Sequence, residues 1–335
     1  MSITVVLQQM IIIMILILTG IFLYRKNMLS QNTSSQISGL IVNITNPALL
    51  ICSAFDDTPK VSLQTLGIAA CVFLVSYLIL ILAAYLLPLL LRIPAHARYS
   101  YRMLTVFGNV GFIGIPLASA VLGPGSLIFV SLNNLIYNVL VYTFGLSILQ
   151  KAAKEQALLQ NPEDGCRTSG RQPEAPAGKM PSKKPQGALH KLVNAGTVSA
   201  VLTLFFYLAD FDVPEIISSS LSYAGRTTTF LSMLVLGVSV AQMAPKDIFS
   251  HPKLYLFTLL RQILLPIGFT FLLGLVLKDA LILNTAALML AVPAGNMPLM
   301  FSRQLHVEES TISQGIILTT ILSLITIPVV TFFIA

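Results

Sequence analysis

Two stretches of this chain place residues able to do chemistry in an otherwise apolar setting. FGNVGFIGIPLAS holds Gly108, Asn109, Gly111, Gly114 and Pro116; AVPAGNMPLMF holds Pro293, Gly295, Asn296 and Pro298. Proline removes a backbone donor, clashes with the preceding turn and pushes the residue before it out of helical conformation. Each stretch is therefore expected to break a helix. At membrane depth the groups freed by a break are tolerated only inside protein or beside a water-filled cavity. The half-helix ends so created offer dipoles to a ligand, and the asparagines add amide donors and acceptors. That chemistry suits recognition of an anion. A simple kink is the plainer alternative for either break alone, but two matched breaks, each with an asparagine, point to a midplane binding site.

Other polar residues lie in apolar stretches. In SQISGLIVNITNPALLICSAF, Gln36, Asn43, Asn46 and Pro47 fall at helical spacing and form one polar stripe, so that Asn43 and Asn46 are candidates to face the substrate or to hydrogen-bond between helices. Asn133, Asn134, Tyr137 and Asn138 form a second group, expected mainly to hydrogen-bond between helices. Two arginines, Arg226 and Arg261, also lie inside apolar stretches, roughly 14 Å and 12 Å deep at the helical rise. No Asp or Glu sits at similar depth. A buried arginine needs a partner, which leaves asparagines, backbone carbonyls, water or an anionic substrate. Arg226 is a candidate ligand for a substrate carboxylate. Arg261 is the weaker candidate and could snorkel to the cytoplasmic face. The lack of embedded acids argues against a carboxylate relay for protons or sodium.

Catalytic sets are wanting. His96, His190, His251 and His306 stand near loops, too widely spaced for a metal site. Cys52, Cys71 and Cys166 are too few and scattered for a disulfide framework or a metal knuckle. No glycine-rich nucleotide-binding lysine motif occurs, so any active transport would be secondary. Neither a cofactor nor an enzyme activity is expected.

The elements that position these residues follow from composition. Of 335 residues, 55% are hydrophobic and 10% charged, with no tryptophan; a soluble protein carries about a quarter charged residues. This excludes a globular enzyme, a disordered chain and a nucleic-acid module. A membrane crossing needs about 20 apolar residues, and ten stretches qualify: roughly 4–24, 36–55, 62–90, 100–122, 126–149, 191–209, 217–243, 254–277, 281–303 and 312–334. The first is read as a retained helix rather than a signal peptide, because Arg25 and Lys26 follow it and no basic region leads it. The fold class is an all-α polytopic membrane protein.

Sixteen of the twenty lysines and arginines lie in loops after odd-numbered stretches, against Lys60 and Lys278 in the others. The positive-inside rule then puts the odd loops in the cytoplasm and both termini outside. Residues 150–190, rich in Pro, Gly, Lys and Ser, are expected to form a flexible cytoplasmic linker. It separates residues 1–149 from 191–335, five stretches each. Since five is odd, the halves enter the membrane from opposite sides, as in the inverted repeats of secondary transporters.

The runs Asn43–Leu50, Gly108–Leu117 and Val292–Pro298 resemble those of the auxin efflux carrier family. This family includes plant auxin exporters and bacterial permeases for malate, malonate and similar acids; this chain resembles the bacterial malate and malonate branch. The resemblance covers nearly everything except the linker. It implies a scaffold of spans 1, 2, 6 and 7 and a transport bundle of spans 3–5 and 8–10, in which broken helices 4 and 9 cross. Carried over, Pro116 and Pro293 or Pro298 mark the crossing and Asn109 and Asn296 face the substrate. Arg226 would then lie on the scaffold side.

The expected function is a plasma-membrane carrier that moves a small organic anion by alternating access. A sodium-coupled symporter of the bile-acid type and a non-transporting ligand sensor are the alternatives. The expected partners are the anion and the lipid bilayer, with no nucleic acid; a homodimer is a candidate assembly.

Overall fold

The computed structural model describes residues 3–55, 61–160, 195–209, 213–242, 252–305, 307–308 and 310–334. Among these the regular structure is helical: α1 (Ile3–Arg25), α2 (Gln31–Leu40), α3 (Asn46–Cys52), α4 (Leu63–Leu90), α5 (Arg98–Val106), α6 (Ile115–Leu122), α7 (Leu127–Leu140), α8 (Leu146–Gln160), α9 (Ala195–Ala209), α10 (Glu215–Ala241), α11 (Pro252–Leu259), α12 (Leu265–Gly274), α13 (Ala280–Ala291), α14 (Met297–Gln304) and α15 (Ser310–Ile334). The one departure is a bridging pair, Gly108 with Ala294.

Seven helical segments among the described residues are long and apolar enough to cross a membrane, where ten stretches are expected from hydropathy. The other three, Val110–Leu122, Ala195–Ala209 and Ala280–Ala291, are shorter. Two of them are shortened by the breaks at Phe107–Asn109 and Val292–Asn296. The third adjoins residues 161–194, which lie outside the described set and include most of the expected linker. The first part of that linker is not loop, because α8 runs on to Gln160.

Several helices are interrupted without ending. Wide π-type turns occupy Ile41–Thr45, Val110–Gly114, Val141–Gly145 and Leu260–Leu264. Pro47, Pro116 and Pro266 each follow such a turn by two residues. The proline ring clashes with the carbonyl four residues back, and a locally wider turn moves that carbonyl aside so the helix can continue. Pro116 therefore widens its helix without breaking it.

Packing divides into two groups. α10 lies along α1, α2 and α3, and α9 packs on α3. α4 packs on α5, α7 and α13, while α13 also meets α12 and α15. The groups touch where α10 meets the turns before α3 and α6, where α9 meets α7, and where α1 meets α6 and α15. α1 and α10 cross at Gly20 and Gly237, whose missing side chains let the backbones meet.

Candidate functional site

The two breaks lie against each other. α5 ends at Val106, and Phe107 (φ −101°, ψ 88°) and Asn109 (φ −82°, ψ 62°) leave helical conformation. α13 ends at Ala291, and Val292 is extended (φ −58°, ψ 145°) immediately before Pro293. Gly108 and Ala294 form an antiparallel bridge. The Asn109 N–H donates to the Pro293 carbonyl at 2.7 Å, and the Gly295 N–H to the Phe107 carbonyl at 2.8 Å. The Ala294 N–H turns instead to Thr319 Oγ1 on α15, at 3.1 Å. Backbone groups freed by one break are thus satisfied by the other or by a neighbouring helix. The approach requires glycine. A Cβ on Gly295 would stand 2.7 Å from the Gly108 carbonyl oxygen.

Asn109 caps the wide turn that leads into α6. Its Oδ1 accepts from the Phe112 N–H at 3.1 Å, which fixes the orientation of the amide. The amide nitrogen, Nδ2, is left buried with no partner among the described residues. Asn46 has the complementary pattern. Its Nδ2 donates to the Gly111 carbonyl at 3.1 Å, leaving Oδ1 a buried acceptor without a partner. The hydroxyls of Thr45, Thr228 and Ser232 are also buried and unpartnered among these residues. Gly225, Thr228 and Ser232 share one face of α10, the helix that packs on α3 and on the turns at 41–45 and 110–114. Buried polar groups are normally paired. Those beside the first break, Asn109 Nδ2 and Asn46 Oδ1, are open to a ligand or water.

Helix ends give the crossing its electrostatics. The segments that follow the breaks, Val110–Leu122 and α14, present their N-terminal, positive ends. The segments that precede them, α5 and α13, present C-terminal carbonyls, and those meet Arg261. Arg261 is 1% exposed and lies in the wide turn Leu260–Leu264. Its Nε donates to the Thr105 carbonyl at 3.4 Å and its Nη1 to the Leu290 carbonyl at 3.1 Å. Nη1 also donates to the Val292 carbonyl. One guanidinium closes both helix ends, a cation where the dipoles are negative. Of the partners open to it from sequence, backbone carbonyls are the ones it has. A space of about 10 Å³ beside it, bordered by Tyr77, Gly108 and Asn133, has room for about one water.

The remaining expected residues are scattered. Asn296 is half-buried just before α14, and its carbonyl accepts from the Met300 N–H at 3.1 Å. Pro293 lies in the second break, and Pro298 is buried in the first turn of α14. Gly114 and Pro116 follow the first break, Gly114 in the wide turn and Pro116 in α6. Asn43 is exposed, and its Nδ2 donates to the Gly39 carbonyl of its own helix at 2.8 Å. Arg226 is exposed on α10, and no hydrogen bond joins it to either break. Asn134 Nδ2 reaches the Gly196 carbonyl of α9 at 3.4 Å, an interhelical bond. Thr319 is a site residue the sequence reading missed. Its only signal is a Thr319–Thr320 pair in α15, a helix that carries several other Ser and Thr residues.

Among the described residues no group of three or more His, Cys, Asp or Glu could hold a metal. The site offers hydrogen bonds and helix-end charge.

Over 325 residues, 96% of each chain, the sequence is 22% identical to an uncharacterized transporter of Methanocaldococcus jannaschii, MJ1031. Residues 5–331 match the family described as membrane transport protein, a family of transporters and not of enzymes. With the match running almost from end to end, the chain belongs to this membrane transport protein family, that of the auxin efflux carriers.

Proposed function

We propose that this protein is a secondary carrier that binds a small organic anion through its carboxylate at the crossing and moves it by alternating access. The observation that carries the proposal is the buried amide nitrogen of Asn109, a donor with no partner among the described residues, at the positive end of a helix segment. A carboxylate oxygen satisfies it. Asn296 is the corresponding group at the start of α14. The free acceptor of Asn46 suits a hydroxyl or a water carried with the anion.

In this proposal ten membrane crossings form two inverted five-helix repeats, residues 1–149 and 191–335, joined by the cytoplasmic segment 150–190, with both termini outside the plasma membrane. α1–α3, α9 and α10 act as scaffold, and the remaining helices as the moving bundle. The dense packing of α10 on α1 and α3 supports it. Asn46 and Thr228 stand on the scaffold side of the contact and Asn109 on the bundle side. Rocking of the bundle would open the site to one face of the membrane and then the other.

Proteoliposomes test the site. A hydrogen bond to a charged group contributes about 1.5–3 kcal/mol, so Asn109→Ala and Asn296→Ala should each slow uptake of radiolabelled malonate and malate about tenfold or more. Two folded variants that transport at the parent's rate would place the substrate elsewhere.

A further inference from the structure

We infer that Arg261 sets the preference of the crossing for anions without touching the substrate. The inference rests on the carboxylate site proposed above. Arg261 is fully buried, and its Nε and Nη1 are committed to the carbonyls of Thr105, Leu290 and Val292. Gly108 stands between it and Asn109: a Cβ there would lie 3.1 Å from Nη2. The guanidinium therefore lies beside the bridge, with Gly108, the chain neighbour of Asn109, next to its Nη2. An arginine does not lose its proton in proteins. Among the described residues the acids Glu155, Glu215, Asp279 and Glu308 all lie at or near helix ends, so no carboxylate cancels the charge. Carbonyl dipoles take its Nε and Nη1 donors but leave a net positive charge in the interior.

That charge acts on the ligand through space. At roughly 8 Å and an effective dielectric of about 20, a unit charge changes the binding of a monoanion about thirtyfold. Two roles are then separable. The planar fork of Arg261 holds two helix ends, and its charge attracts the anion. Lysine keeps the charge and loses the fork; glutamine loses the charge and keeps amide donors.

The test compares Arg261→Lys and Arg261→Gln with the parent by isothermal titration of the purified full-length proteins with malonate, after gel filtration has shown each to be folded. Affinity is expected to follow charge. Arg261→Lys binds within about threefold of the parent even where its Tm falls, and Arg261→Gln binds at least tenfold more weakly. The inference is overturned if Arg261→Gln keeps the parent's affinity, or if both variants lose affinity equally, the mark of a purely structural role. Should Arg261→Gln fail to fold, Arg261→Lys decides alone, since a tenfold loss there contradicts the inference. If the parent itself binds neither malonate nor malate, the carboxylate site falls and this inference with it. That failure shows in the parent, so the two are distinguishable.

Discussion

Gly295→Ala is expected to reduce transport at least a hundredfold while the protein still reaches the membrane and purifies as a single species. The added methyl would stand 2.7 Å from the Gly108 carbonyl oxygen and 3.3 Å from the Asn109 Cα, both backbone atoms with no side chain to turn away. Overpacking of that kind destabilises by about 1–3 kcal/mol. The strain falls on a bridge held by two hydrogen bonds, Asn109 N–H to Pro293 and Gly295 N–H to Phe107. Losing either adds about 1 kcal/mol, and water is scarce at this depth to replace it. The damage is confined to the crossing because α5, α13 and α15 are otherwise well buried. Proteoliposome uptake of malonate measures it, and a variant at the parent's rate would mean that the two breaks need not touch during transport.

The second large effect lies at the contact of α1 with α10 and is one of stability. Gly237→Leu is expected to abolish the folded protein, and Gly237→Ala to lower its Tm by several degrees. A Cβ on Gly237 would lie 2.2 Å from the Ile17 carbonyl oxygen and 2.8 Å from the Gly20 Cα. One on Gly20 would lie 2.4 Å from the Leu234 carbonyl oxygen. The helices α1 and α10 can cross so closely only because both residues lack side chains. Gly268 is the control: a Cβ there meets nothing within 4 Å, so Gly268→Ala should be neutral or raise Tm, alanine being the better helix former by about 1 kcal/mol. Thermal unfolding in detergent separates the three. Equal Tm values for Gly237→Ala and Gly268→Ala would show that the α1–α10 contact is not tight.

What could be read from sequence was what depends on local chemistry. Long apolar stretches announce helices, and Gly and Pro at membrane depth announce interruptions. The exact place of the first interruption was not legible. Pro116 is the conspicuous residue, yet its clash is absorbed by the wide turn Val110–Gly114. The helix stops at Phe107–Asn109, where the backbone finds new partners in a segment far away in sequence. Arg261 shows the same limit. Its sequence context narrows its partners to four kinds, but choosing the carbonyls of Thr105, Leu290 and Val292 requires knowing that α5 and α13 end side by side. Asn43 and Asn46 share a stripe by spacing, yet Asn46 is buried against Gly111 and Asn43 is exposed. Asn43 lies within the wide turn Ile41–Thr45, which changes the helical register before Asn46.

A structure of the full-length protein with bromomalonate bound tests the central claim most directly, because the bromine marks the ligand independently of any assay. The account predicts a carboxylate oxygen about 3 Å from Asn109 Nδ2, with Asn296 at the same ligand and Arg261 beside the bridge out of contact. Bromine placed instead beside Arg226, or in the apolar groove between α4 and α12, with Asn109 unoccupied, would contradict it.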